Sequence, residues 1–188
     1  MNRKDIFVYL KEIFPDVELS IEEINTDDTI RVPVDNLHQV MRELRDNTQL
    51  KFDFLLCLSG VEINDEYQVV YHLFSMQLKH HLTVRCGVPK VDPVVMPTVS
   101  DLWSTADWHE REVYDMFGIH FEDHPDLRRI LCPDDWKGFP LRKDYVPQES
   151  WHGIPLVTNL PPVTESLYKM GKFALEDEEE SGVENGRT

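Results

Sequence analysis

Three carboxylates lie close together in this chain, Glu110, Glu112 and Asp115. Paired carboxylates can act as a general acid and a general base. A helix through this stretch turns about 100° per residue. It would place Glu110 with Ala106, Val113 and Phe117, and would place Trp108, Arg111 and Asp115 on the opposite face, with Glu112 beside them. Carboxylates split between two faces do not converge on one substrate, so structural pairing is the stronger reading and catalysis the weaker. Glu110 sits in the apolar stripe, where a carboxylate must be paired or hydrogen-bonded. Arg128 and Arg129 are the basic candidates for it. Arg111 and Asp115 can pair at i, i+4, but an exposed pair contributes only about 0.3–0.5 kcal/mol. A helix covered on both sides accounts for the pattern better.

Metal chemistry would need His120 and His124, with Asp123 and Asp126 nearby. Two histidines at that spacing make a site when the segment is helical. Gly118 and Pro125 interrupt a helix there, which leaves a metal-dependent hydrolase as a distant alternative. His109-Glu110-Arg111-Glu112 lacks the second histidine of H-E-x-x-H, and His80-His81 reads as a solvated turn. Neither a Gly-rich phosphate loop nor a G-x-S-x-G motif occurs. Trp136, Phe139, Arg142, Lys143 and Tyr145 combine the residue types found at interface hot spots. They point to a partner-binding arm; the alternative is an arm folded back on its own domain.

Residues 3–14 predict a helix with Ile6, Leu10, Ile13 and Phe14 on one face. Short strands follow at 17–24 and 29–32, then a helix at 36–46 capped by Asp35. Phe52, Phe54, Leu56 and Leu58 alternate with Leu55 and Cys57, which suggests a central strand. Strands at 67–78 and 81–88 form a hairpin with a tight Lys79-His80 connection. A helix spans 105–117, capped by Ser104 and stopped by Gly118. The order predicts an α+β fold, with helices packed on a mostly antiparallel sheet and a long irregular C-terminal arm. The expected divisions are a domain over 1–120, a partner-binding arm over 121–175 with a short helix at 164–174, and an acidic disordered tail over 176–188.

The formal charge is −16, of which the segment 176–188 holds −5. So acidic a chain is poorly suited to nucleic-acid backbones or anionic lipid. The sequence contains no run of eighteen apolar residues and no signal-peptide pattern, which implies no direct membrane insertion. Cys57, Cys86 and Cys132 are widely spaced, as expected of free thiols in a reducing compartment.

The run from Glu110 to Ile119, Glu-Arg-Glu-Val-Tyr-Asp-Met-Phe-Gly-Ile, precedes His124-Pro125-Asp126-Leu127-Arg128-Arg129-Ile130-Leu131. With Pro133–Gly138, Pro140–Tyr145 and the Phe52–Leu56 strand, it resembles the C-type, thirty-kilodalton subunit of proton-pumping NADH:quinone oxidoreductase (respiratory complex I). The resemblance covers roughly 5–147; Val146 before Pro147 is a small departure.

It implies a peripheral-arm component on the cytoplasmic face of the membrane, packed against subunits of the D and B types. It also implies that this chain binds no cofactor, while the parent complex uses NADH, FMN, iron–sulfur clusters and quinone. The equivalent component of a related membrane-bound hydrogenase or ferredoxin-type complex is the alternative. The resulting set of structural and interface residues is Trp108, Glu110, Arg111, Glu112, Asp115, His124, Arg128, Arg129, Trp136, Arg142, Lys143 and Tyr145.

Overall fold

A computed structural model describes residues 3–24 and 27–156. The segments expected at 164–174 and 176–188 lie outside the described residues. Helix α1 (Arg3–Ile13) buries Ile6 and Leu10, and Phe14 just past its end is buried too, while Ile13, expected on the same face, is exposed. Strands β1 (Ser20–Ile24) and β2 (Asp27–Arg31) pair antiparallel. A 3-10 turn at Val34–Asn36 leads into α2 (Leu37–Asp46), which buries Leu37, Val40, Met41 and Leu44. Asp35 lies inside that turn, and the residue before α2, Asn36, makes no side-chain cap.

Strands β3 (Phe54–Ile63), β4 (Glu66–Ser75) and β5 (His80–Pro89) complete a five-stranded sheet in the order β1-β2-β5-β4-β3. Within this sheet, among the described residues, only the β2–β5 pair is parallel. The fold is thus α+β with a mostly antiparallel sheet. The apolar face of the sheet carries Leu55, Leu58, Val69, Tyr71, Leu73, Leu82, Val84 and Cys86. It shares one core with the buried residues of α1, α2 and the third helix.

Several expectations need correction. β3 is an edge strand, paired only with β4. Its register shifts between Leu55 and Cys57, so Leu56 is the extra residue of a β-bulge. The bulge breaks the alternation: Leu55 and Leu58 are buried, while Phe54 and Leu56 are exposed. The β4–β5 connection is the four-residue turn 76–79, with Lys79 at positive φ (52°). His80 is not in a solvated turn. It is buried at the start of β5, with Nε2 2.6 Å from the carbonyl of Leu50 and its ring 4.7 Å from that of Phe52.

A short strand β6 (Val95–Pro97) precedes α3 (Ser104–Phe117), and β7 (His120–Glu122) follows it. β6 and β7 pair in parallel, a pairing that no sequence pattern announces. The residue before α3 is Trp103, without a side-chain cap; its indole N–H donates instead to the Phe52 carbonyl at 3.1 Å. The first compact unit ends at Val146. A second begins at Pro147 and contains a small hairpin, β8 (Ser150–Trp151) with β9 (Ile154–Pro155).

Candidate functional site: the joint between helix α3 and the arm

α3 packs across β3 at a point where the sheet has no side chain. A Cβ on Gly60 would lie 2.7 Å from Phe117 Cδ2 and 3.1 Å from Val113 Cγ1. Glycine therefore permits the close approach. Gly118 ends α3 with φ 73°, the left-handed conformation of a helix C-cap, as its position predicted.

Asp115 is fully buried on the outer side of α3. Its Oδ2 accepts the backbone N–H groups of Ile130 (3.1 Å), Leu131 (2.7 Å) and Cys132 (2.8 Å). Its Oδ1 accepts Arg129 Nη1 at 3.0 Å. One carboxylate thus satisfies three consecutive amides and one guanidinium. This is the contact that binds the arm to the helix. Arg111 is buried too; its Nε donates to the Arg128 carbonyl at 3.2 Å, and its guanidinium lies 4.8 Å from the Trp108 ring. Arg111 and Asp115, which i, i+4 spacing would allow to pair, instead hold the arm as two separate anchors. Arg128 contributes its carbonyl to the joint, while its exposed side chain pairs with Asp126 at 2.9 Å.

The far end of the arm returns to the C-terminus of α3. Arg142 Nε donates to the Phe117 carbonyl at 2.6 Å, and the Leu141 N–H donates to the Met116 carbonyl at 3.1 Å. The Arg142 guanidinium lies between Tyr67 (5.0 Å) and Phe139 (4.6 Å). Arg142 is therefore a helix cap held inside its own domain. Trp136 Nε1 and the Tyr145 hydroxyl are 3.1 Å apart. Lys143 keeps an exposed side chain while its backbone N–H donates to Glu62 at 2.7 Å. Arm residues 129–145 thus fold back on the domain in large part.

Glu110 faces the other way, fully buried. Its partners are Thr98 Oγ1 (2.5 Å) and the Val99 N–H (2.8 Å), and neither Arg128 nor Arg129 reaches it as expected. Burial pushes its carboxyl up to about 7; the Thr98 and Val99 bonds oppose that rise and Asp107 and Asp101 add to it. His124, its side chain also buried, has Nε2 3.9 Å from Glu110 Oε2 and 3.1 Å from the Asp107 carbonyl. Its Nδ1 accepts the Asp126 N–H at 3.1 Å. His120 lies on β7, its ring 6.4 Å from that of Tyr114. The two histidines share no helix, and no metal-binding group of three or more ligands occurs among the described residues. Glu112 and Trp108 are exposed, Trp108 at 62%.

Sequence patterns alone do not point to two of the contributors. Thr98 and Val99 left no signal, because a loop hydroxyl and an amide have no spacing to read. Glu62 did leave one, as the sole charge in the strand Phe54–Ile63. Its side chain pairs with Lys90 and receives Lys143 N–H.

The fold and this joint define an α+β module whose signature side chains bind its own arm. Residues 30–151 match the family described as respiratory-chain NADH dehydrogenase, 30 Kd subunit, and the chain belongs to that family. It is 56% identical over 113 residues to the C-type NADH-quinone oxidoreductase subunit of Chloroherpeton thalassium, covering 59% of this chain and 47% of that protein. It is 40% identical over 147 residues to the C-type subunit of Roseiflexus castenholzii, covering 77% and 84%. The chain thus spans about half of the first relative and most of the second. A chain in the structure of the membrane-bound sulfane sulfur reductase, an archaeal respiratory membrane complex, aligns with TM-score 0.63 and 28% identity over 76% of this chain and 85% of its own. No helix among the described residues is long and apolar enough to cross a membrane.

Proposed function

We propose that this chain serves as the C-type subunit of a membrane-bound NADH:quinone oxidoreductase, a peripheral scaffold that carries no redox group of its own. The family membership and the relatives' names support the complex. The scaffold role rests on one observation: the carboxyl groups of Glu110 and Asp115 and the guanidinium of Arg129 are hydrogen-bonded inside the chain, and Arg111 and Arg142 each donate Nε to a backbone carbonyl of it. Groups so engaged support the reading that they position structure. Electron transfer from NADH through FMN and iron–sulfur clusters to quinone, with proton translocation, belongs in this reading to the assembled complex. Subunits of the D and B types are the proposed partners, and they hold the chain at the cytoplasmic face. Trp108, Glu112, Trp136, Lys143 and Tyr145 supply the proposed contact surface.

The test is copurification of the tagged full chain from membranes. The expected result is an assembly that contains flavin and iron–sulfur absorbance and oxidises NADH. Recovery of the chain alone from intact membranes would overturn the reading. The structural likeness to the sulfane sulfur reductase chain favours a second reading, the same module serving a complex with another donor. An assembly that contains iron–sulfur clusters, lacks flavin and does not oxidise NADH would select it.

A further inference from the structure

The groups facing Glu110 come from four parts of the fold. The segment after β6 brings Thr98 Oγ1, the Val99 N–H and Asp101. α3 itself brings Asp107. The turn after β7 brings His124, whose Nε2 lies 3.9 Å from Glu110 Oε2 and 3.3 Å from Asp107 Oδ1. β4 brings the hydroxyl of Tyr71, fully buried, without a hydrogen-bond partner among the described residues, and within electrostatic range of Glu110. Both neighbouring charges, Asp107 and Asp101, are negative, and Asp101 has His38 (2.9 Å) and Arg42 (3.7 Å) as its own partners.

We propose that Glu110 is a proton-binding site within the joint, and that its ionisation loosens the His124 turn from α3. Thr98 suits both states. Its hydroxyl donates to an ionised Glu110, or accepts from a protonated one and turns its own hydrogen to Ser100 Oγ at 2.8 Å. The proton that leaves Glu110 goes to solvent. The charge left behind is buried beside two acids, and His124 cannot answer it without giving up the Asp126 N–H bond. Lifting β7 and the turn after it, residues 120–126, admits water to the carboxylate. The raised carboxyl, at about 7, places the change near neutrality. The proposal concerns this chain's own joint and stands apart from which complex it serves.

Hydrogen exchange of the full chain at pH 6 and pH 8, corrected for intrinsic rates, is the test. Amides of 120–126 should be about tenfold more open at pH 8, the change for one proton linked across that range. Amides at the centre of β4 should not follow. Glu110→Gln should flatten the dependence, and Asp101→Asn, an exposed change, should move its midpoint to lower pH. Equal protection of 120–126 at both pH values in the native chain, or an unchanged dependence in Glu110→Gln, would overturn the proposal. If Glu110→Gln fails to fold, an unmoved midpoint in Asp101→Asn overturns it.

Discussion

Arg142 and Phe117 are joined by a 2.6 Å bond from the guanidinium Nε to the last helical carbonyl of α3. The bond answers a carbonyl that the helix itself leaves without a partner. The planar guanidinium also lies against the faces of Tyr67 and Phe139. Arg142→Lys keeps the charge and loses the flat stacking and the fixed fork. It should cost about 1–3 kcal/mol of stability, on the scale of hydrogen bonds to charged groups. Urea denaturation of the full chain measures it, and a loss under half a kilocalorie per mole would refute the capping role.

Asp115→Ala should be the most damaging single change at the joint. It leaves three backbone donors and Arg129 without their acceptor. Breaking a buried charge pair of this kind costs about 3–5 kcal/mol. Limited proteolysis should then cut within 129–146 long before β4 and β5 are lost. Cleavage that starts in the sheet instead would contradict the clamp.

Gly118→Ala and Gly60→Ala should both destabilise, for different reasons. At Gly118 the new methyl would collide with the Phe139 ring and meet Arg142 at 2.7 Å, in a conformation that favours glycine. At Gly60 the backbone is ordinary strand and the clash is with Phe117 alone below 3.0 Å. Thermal melting should therefore rank Gly118→Ala below Gly60→Ala, by roughly 1 kcal/mol for the left-handed φ.

Trp108→Ala separates folding from assembly. The ring is 62% exposed, and its contact with Arg111 contributes about 0.5–1 kcal/mol at such a site. The isolated chain should lose no more than that in denaturation, while recovery of partner chains on a tagged pull-down falls. Unchanged recovery would remove Trp108 from the contact surface.

Thiol labelling offers a check on the core. Burial pushes the Cys86 thiol up to about 12, and burial with the nearby Asp115 charge raises Cys132 as well. At pH 8 in native buffer Cys86 should resist alkylation completely, and it should label once urea is added. Rapid native labelling of Cys86 would show that the sheet face of β5 is open.

Much of this architecture is legible in the residues alone. The helix expected at 36–46 stands as α2 and buries Leu37, Val40, Met41 and Leu44, and the strand expected at 81–88 lies within β5 and buries Leu82, Val84, Cys86 and Val88. So does the splitting of Glu110 from Asp115 around α3, because helical geometry alone requires it. What failed depended on single insertions and on partners distant in sequence. The extra residue at Leu56 slips the face of β3, and no periodicity announces a bulge. Glu110 found a threonine and an amide where charge arithmetic offered two arginines, because two hydrogen bonds can satisfy a buried carboxyl without a cation. Arg142 has the composition of an interface hot spot and caps a helix in its own domain. Residue type alone does not say on which side of a surface a side chain ends.

The two anchors of the arm stand on one rigid helix, the Asp115 clamp at Ile130–Cys132 and the Arg142 cap at Phe117. The stretch 133–137, between the clamp and the bond from Arg129 Nη2 to the Gly138 carbonyl, is therefore a closed loop with fixed ends. Lengthening such a loop costs little, about 0.6 kcal/mol for a doubling. Additions near Asp134 and Asp135, both exposed, should leave the fold intact. This segment can change length and shape to follow a different neighbour while the body that carries it stays the same.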